Sequence, residues 1–491
     1  MSSKPSRRSV LSGLAALAAT GPAFAEAPLA SLRPLARGTV PEPPPPPEPA
    51  PAIDLVRKAG LGGAVGYLVV NARTGEVVEE LNPDLRLPPA SVAKAATAYY
   101  ALSRLGAAHR FETRLLATGP VEGGRLKGDL VLQGGGDPIL DSDALGEMAA
   151  ALKAQGIFEV TGRFRVDPSA LPYVPEIDAE QPEQVGYNPA IDGLNLNFNR
   201  VHFKWKRAGG RYEVSMQARA RRYSPETAVA KMTVEDRPGP VFTYEDNGNI
   251  DYWTVARQHL GNEGARWLPV SRPADYTADV FQTLARSHGI VLDRGKDVHG
   301  ATGTPLLTHV SPQLHEMLGG MLRYSTNLTA EAIGLTATHA SGTRPSSLIR
   351  SAREMNLWYN RALGCHSTGF VDHSGLGYGS RVSARDMVTL LQAARRGALL
   401  PKLMKSFNAG DDAIAVKAKT GTLNFVSALA GYIDAPGKPP LTFAIFTADM
   451  PRRDAIRIEE RERPPGARGW ANRSRGLQKQ LIRRWAERAH A

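Results

Sequence analysis

The sequence predicts an α/β protein of the α+β type, in which an antiparallel sheet is flanked by helices and smaller domains are inserted into the chain. Near the start, 64–70 and 77–81 are apolar runs joined by a turn-rich segment, which is typical of a strand pair. Near the end, 413–422, 425–433 and 441–448 predict an antiparallel meander. With 42% apolar residues the chain can bury a sizeable core.

Length and composition exclude several classes of protein. The 491 residues suggest several domains, and a single cysteine, Cys365, rules out an internal disulfide scaffold. No Cys/His spacing fits a zinc finger. The net charge is +12, and residues 451–491 hold twelve Lys and Arg against five Asp and Glu, so much of the basicity is local. Nucleic acid is not an expected partner, because the N-terminal signal described next predicts export from the cytoplasm.

The N-terminus predicts export. Residues 1–25 run from a basic start through a short apolar stretch to Ala-Phe-Ala, which predicts a signal peptide cleaved after Ala25. A permanent membrane anchor is disfavoured because the stretch is too short. Arg7 and Arg8 resemble a twin-arginine signal, with an ordinary secretory signal as the alternative. We therefore expect a periplasmic protein in which residues 26–51 form a Pro-rich linker, stiff or disordered.

The first candidate motif is Ser91-Val-Ala-Lys94, directly before the helical run 95–102. Residues three apart share a helical face, so the Lys94 amine can approach the Ser91 hydroxyl. A serine with a neutral lysine beside it can act as nucleophile and base, and a helix N-terminus favours the developing negative charge. The alternative is that Ser91 only caps the helix while Lys94 lies on the surface.

The second candidate motif is Ser325-Thr-Asn327, a polar turn between the helical runs 315–322 and 328–337. A hydroxyl at Ser325 can relay a proton to a leaving group. The Asn327 amide can bind a substrate carbonyl and hold the lysine in place. By itself such a sequence is also an ordinary turn.

The third candidate motif is Lys419-Thr420-Gly421-Thr422, within the first strand of the meander. Lys419 would be an inward cation for a carboxylate, with Thr420 and Thr422 as hydroxyl partners. Gly421 would let a substrate backbone approach the strand edge. The alternative is an exposed strand end.

In this order the three motifs resemble the signature of the penicillin-binding proteins and serine β-lactamases. The 234 positions between the two motif serines leave room for a large insertion. That layout resembles the D-alanyl-D-alanine carboxypeptidase/endopeptidase family of class C penicillin-binding proteins, over about residues 52–490. Segments similar to that family also occur at 128–138, 187–189, 372–376, 419–423 and 429–432. Within 372–376, His373 stands where Gly is common.

The resemblance implies that Ser91 is acylated by peptidoglycan stem peptides, releasing D-alanine or the amine of a cross-link. It implies Ser91, Lys94 and Ser325 as catalytic residues, and an oxyanion hole from the backbone N–H groups of Ser91 and Thr422. β-Lactam antibiotics would acylate the same serine. No cofactor, nucleotide or catalytic metal is implied. The alternatives are a serine β-lactamase and a catalytically silent cell-wall binding protein.

The resemblance also sets the expected domains. Residues 52–112 and 300–491 would form a penicillin-binding-protein/β-lactamase-like catalytic domain, and 113–299 an insertion of two nested subdomains. In the insertion we expect strands at 129–133, 159–166 and 212–218 and helices at 141–154 and 274–288.

Three smaller features have simpler interpretations. The Gly-rich segment 134–137 predicts a strand-end turn, 372–374 is not expected to form a triad, and Ser383 is expected to cap a helix. Leu477, Leu481 and Trp485 form a narrow apolar stripe, for which we favour packing on the sheet over contact with membrane or cell wall.

Overall fold

The computed structural model describes residues 52–488. The predicted signal peptide (1–25) and Pro-rich linker (26–51) lie outside the described residues. No helix within 52–488 is both long enough and apolar enough to span a bilayer.

The helices of the described residues follow the predicted ones closely. The expected helices 141–154 and 274–288 and the two around the Ser-x-Asn turn are confirmed to within a few residues. In chain order the helices are α1 (Ala52–Ala59), α2 (Ala93–Leu105), α3 (Ser142–Ala154), α4 (Pro273–Ser287), α5 (Leu314–Tyr324), α6 (Asn327–Ala340), α7 (Leu348–Leu363), α8 (Ala384–Arg396), α9 (Leu399–Leu403), α10 (Met450–Asp454) and α11 (Ala467–Arg488).

The strands include all those that the sequence predicts except the single strand expected at 159–166. In chain order they are β1 (Ala64–Asn71), β2 (Val77–Leu81), β3 (Glu112–Ala117), β4 (Val121–Glu122), β5 (Arg125–Leu126), β6 (Leu130–Gln133), β7 (Glu159–Val160), β8 (Phe164–Asp167), β9 (Arg200–Ala208), β10 (Arg211–Gln217), β11 (Ala230–Glu235), β12 (Phe242–Asp246), β13 (Asp251–Ala256), β14 (Glu263–Pro269), β15 (Thr304–Val310), β16 (Lys405–Ser406), β17 (Ala415–Leu423), β18 (Val426–Asp434) and β19 (Leu441–Ala448).

The expected antiparallel sheet joins the two ends of the described chain. Its six strands run in the order β16-β17-β18-β19-β1-β2, and β1 pairs antiparallel with β19, Ala64 opposite Ala448. Leu68 and Val70 of β1 face a core shared with α2, α5 and α8, whereas Tyr67 and Val69 face a second core shared with α11. Helices cover both faces of the sheet at β1, β18 and β19, so these three strands are almost entirely buried and mostly apolar rather than alternating.

The insertion contributes separate, smaller sheets with their own core. One prediction there is wrong: 159–166 is not a single strand but two, β7 and β8, in different sheets. Gly162 lies between them, where a side chain would come within 2.5 Å of the Gly128 backbone. β15 pairs with β3, so this sheet takes a strand from beyond position 300. The domain boundaries at 112 and 300 stay predictions.

The C-terminal helix covers one face of the central sheet. Leu477, Leu481 and Trp485 are buried in its core, and the Trp485 ring lies 5.4 Å from that of Tyr67. The favoured packing of this stripe on the sheet is therefore confirmed. Its buried apolar face is not available to a membrane.

Candidate active site

Ser91 lies in a 3₁₀ turn, Ala90–Val92, that leads directly into α2. The Lys94 side chain is fully buried, and its Nζ lies 3.1 Å from Ser91 Oγ. The alternative of a surface lysine beside a simple cap is therefore wrong. A contact of this length serves either protonation state, because a neutral amine accepts from the hydroxyl and an ammonium donates to it.

Two further acceptors fix the position of the Lys94 amine. Nζ donates to Asn327 Oδ1 at 2.7 Å and to the Ser374 carbonyl at 2.9 Å. The predicted role of Asn327 in holding the lysine is thus present in the geometry. Burial lowers the pKa of Lys94, while the carboxyls of Glu331 and Asp372 oppose that shift. A lowered pKa increases the neutral fraction that a general base needs.

The carboxyls of Glu331 and Asp372 were not predicted to be part of the site; Asp372 was considered only within the family-like segment 372–376 and as a member of the rejected triad. Both are buried, and burial raises the pKa of each. Glu331 accepts from the backbone N–H groups of His373 and Ser374 at 2.9 and 2.8 Å, which holds the loop that supplies the Ser374 carbonyl. For Glu331 the sequence signal was that it follows Asn327 by four residues, on the same face of a helix. For Asp372 it was the similarity of 372–376 to the family.

The loop also shows why 372–374 is not a triad. The His373 ring bonds Ser351 through Nε2 at 2.7 Å, and burial lowers its pKa to about 3. Ser374 Oγ lies 3.4 Å from Asp372. Ser374 and Asp372 thus contact each other, but the His373 ring bonds neither of them, and the three do not form a triad.

Ser325 and Lys419 form the second half of the site. Ser325 ends α5 in the left-handed conformation, with φ 60°, and its Oγ accepts from Lys419 Nζ at 3.0 Å. Lys419 is buried and also donates to the Thr420 carbonyl at 2.7 Å. Burial, together with the charges of Lys94 and Lys405, holds the pKa of Lys419 well below its usual range. An anion bound there would relieve that repulsion.

Gly421 brings the strand against the Ser91 turn. A Cβ at this position would lie 2.6 Å from the Pro89 carbonyl and 3.1 Å from the Ser91 backbone nitrogen. Sequence reasoning attributed this glycine to the approach of a substrate, whereas the described contact is between two parts of the protein. The missing side chain allows β17 and the turn to lie side by side.

A cavity of about 570 Å³ opens over these groups. Its lining includes Ser91, Ser325, Asn327 and Thr422. Asn327 Nδ2 donates to the carbonyl of Tyr187, a residue of the insertion that lines the same cavity. All three sequence motifs therefore meet in one place, and the insertion forms part of its wall. Within 52–488, no three His, Cys, Asp or Glu side chains are grouped so that they could hold a metal ion.

The protein family that the chain matches agrees with the family that its three motifs resemble. Residues 54–462 match the model of the D-Ala-D-Ala carboxypeptidase 3 (S13) family. The chain belongs to this family. As a member it is a serine-type D-Ala-D-Ala carboxypeptidase. The expected α+β fold with a penicillin-binding-protein-like sheet is confirmed by the sheet topology and by the structural match given below.

Individual relatives match four fifths or more of this chain. A D-alanyl-D-alanine carboxypeptidase of Actinomadura sp. (strain R39) is 28% identical over 475 residues, covering 84% of this chain and 85% of the relative. One from Haemophilus influenzae is 24% identical over 430 residues, covering 80% and 87%. The crystal structure of penicillin binding protein 4 from H. influenzae matches with a TM-score of 0.70 at 22% identity, over 88% of this chain and 99% of that one. A second structure of that protein holds a β-lactam and matches with a TM-score of 0.68.

Proposed function

We propose that this S13 chain is an exported serine DD-peptidase that cleaves peptidoglycan stem peptides through an acyl-enzyme on Ser91. The observation that carries the proposal is the buried Lys94 amine, 3.1 Å from Ser91 Oγ and held by Asn327. Neutral Lys94 takes the hydroxyl proton as Oγ attacks the carbonyl carbon of the penultimate D-alanine. The oxyanion is stabilised by the backbone N–H groups of Ser91 and Thr422.

Collapse of this intermediate breaks the C–N bond and leaves an ester on Ser91. The leaving amine needs a proton, and the Ser325 hydroxyl, which Lys419 Nζ holds through its Oγ, relays to it the proton that Lys94 took from Ser91. The terminal carboxylate of the substrate pairs with Lys419, with Thr420 beside it. Water then hydrolyses the ester. Release of D-alanine is the carboxypeptidase reaction, and release of a peptide amine from a cross-link is the endopeptidase reaction.

Intact-mass spectrometry with benzylpenicillin tests the acyl-enzyme. We expect one adduct on the wild-type chain, mapped to Ser91, and none on Ser91→Ala; D-alanine release from a D-Ala-D-Ala peptide should be lost in parallel. Rapid penicillin hydrolysis without a lasting adduct would instead favour a β-lactamase. A folded wild type with neither reaction would favour the silent wall-binding protein.

We also propose a periplasmic location, supported by the basic, apolar and Ala-Phe-Ala segments of residues 1–25. N-terminal sequencing of the mature protein should begin at Glu26. Replacing Arg7 and Arg8 by lysine should block export if the twin-arginine route is used, and leave it intact if the general secretory route is used.

A further inference from the structure

A second cavity, the basic groove, lies beside the active site. It has a volume of about 600 Å³ and is formed by the end of α5, by α9 and β16, and by β17. Among residues 52–488, its charged lining residues are Arg323, Lys402, Lys405 and Lys417, and none of its lining residues is acidic.

The basic groove and the Ser91 cavity lie at different positions along the same strand, β17. Along β17, Lys417 lines the basic groove and Thr422 lines the Ser91 cavity, with Lys419 between them. On the helical side, Tyr324 lines the groove, and Ser325, the next residue, lines the Ser91 cavity. A substrate lying along β17 with its scissile carbonyl at Ser91 and its carboxylate at Lys419 therefore points its leaving group toward the basic groove.

The charge of the groove is not neutralised within the described part of the chain. All four cations are exposed, and none forms an ion pair there within 4 Å; Lys417 Nζ donates to Ser406 Oγ at 2.9 Å. Lys405 is close enough to contribute to the lowered pKa of Lys419. Like charges gathered around a groove favour an anionic ligand there.

We propose that the basic groove binds a negative charge on the leaving group, beyond the carboxylate held by Lys419. The inference rests on the proposed peptidase function and names its substrate class: peptides whose released amine carries more than one carboxylate. The reaction is otherwise unchanged, because the same C–N bond breaks, the same ester forms and the amine leaves protonated. A cross-linked peptide, whose leaving group is a second peptide, fits this class better than a terminal D-alanine does.

Three substrates with one peptidyl-D-alanyl donor and the leaving groups D-glutamate, D-glutamine and D-alanine test the proposal. D-Glutamate and D-glutamine are nearly isosteric, so the ratio of kcat/KM for the two substrates that release them measures the effect of the extra negative charge. At low salt we expect wild type to prefer D-glutamate by about threefold or more, with the ratio falling as salt rises. Replacing Arg323, Lys402 and Lys405 together by glutamine should bring the ratio close to one.

Lys204→Gln is the matched control, because Lys204 is an exposed lysine on β9, remote in sequence from the groove. It should keep the wild-type ratio. A wild-type ratio at or below one, a triple variant that keeps the preference, or an equal loss with D-glutamate and D-glutamine would overturn the proposal. Failure of the peptidase assignment looks different, since wild type would then release none of the three leaving groups and form no penicillin adduct.

Discussion

The active site has a helical wall, formed by α2 and the α5–α6 turn, and a sheet wall, formed by β17. Each wall contributes one buried lysine, and the charges near the two lysines have opposite signs. On the helical wall, Lys94 has the carboxyls of Glu331 and Asp372 nearby. On the sheet wall, the charges that act on Lys419 are those of other lysines. Burial lowers the pKa of both amines, but only Lys94 has built-in counter-charge. This difference supports proton exchange as the role of Lys94 and anion binding as the role of Lys419.

The largest expected effect comes from removing the base of the helical wall. Lys94→Gln should slow acylation by both peptide and benzylpenicillin about 10³-fold, because Ser91 then lacks its proton acceptor. Stopped-flow or timed intact-mass measurements report both rates. If the two rates change by less than tenfold, another group is the base and the comparison between the walls fails.

On the sheet wall, Lys419→Gln should act on the substrate carboxylate instead. We expect kcat/KM for a peptide with a free C-terminal carboxylate to fall about 100-fold, because a buried charge pair is lost. For the same peptide ending in an amide, kcat/KM should fall less than about fivefold. Equal losses for both peptides would assign Lys419 to the chemistry rather than to anion binding.

The packing behind the helical wall offers a stability test. A Cβ on Gly334 of α6 would lie 2.1 Å from Cγ of the His373 ring. Gly334→Ala should therefore lower the free energy of unfolding by about 1–3 kcal/mol. Denaturant titration measures the loss, and adding His373→Ala to the same chain should recover part of it. Without recovery, the His373 ring is not what limits this position.

The smallest effect is a shift in a pH profile. The Glu331 carboxylate raises the pKa of Lys94, so Glu331→Gln should lower it further and make the amine neutral at lower pH. The acidic limb of kcat/KM should move to lower pH by roughly half a unit to one unit. Glu213→Gln, at an exposed position on β10, should leave the limb in place. An unmoved limb in Glu331→Gln would give Glu331 a purely structural role.

The parts of the site that the sequence predicted are those set by local geometry. Ser91 and Lys94 are three residues apart where a helix begins, so their contact follows from helical spacing. Glu331 reaches the Ser374 backbone across 43 positions of sequence, and spacing along the chain does not predict such a contact.

The wrong strand prediction at 159–166 has a similar cause. The break between β7 and β8 at Gly162 depends on a close approach to Gly128 from another part of the chain. An apolar run containing one glycine is equally consistent with a continuous strand. By contrast, β1, β18 and β19 of the central sheet were predicted well because both of their faces are buried, which leaves a strong apolar signal.

The pairing of β1 with β19 sets an order of assembly. Ser91 and Lys94 emerge early from the ribosome, but β1 gains this partner only after residue 448 has been made, and Lys419 arrives almost as late. Contacts so distant in sequence form slowly, and domains fold only once their parts are present. A truncated or unfinished chain thus carries the proposed nucleophile, Ser91, without the strand that holds Lys419, and we expect no hydrolytic activity until synthesis is nearly complete.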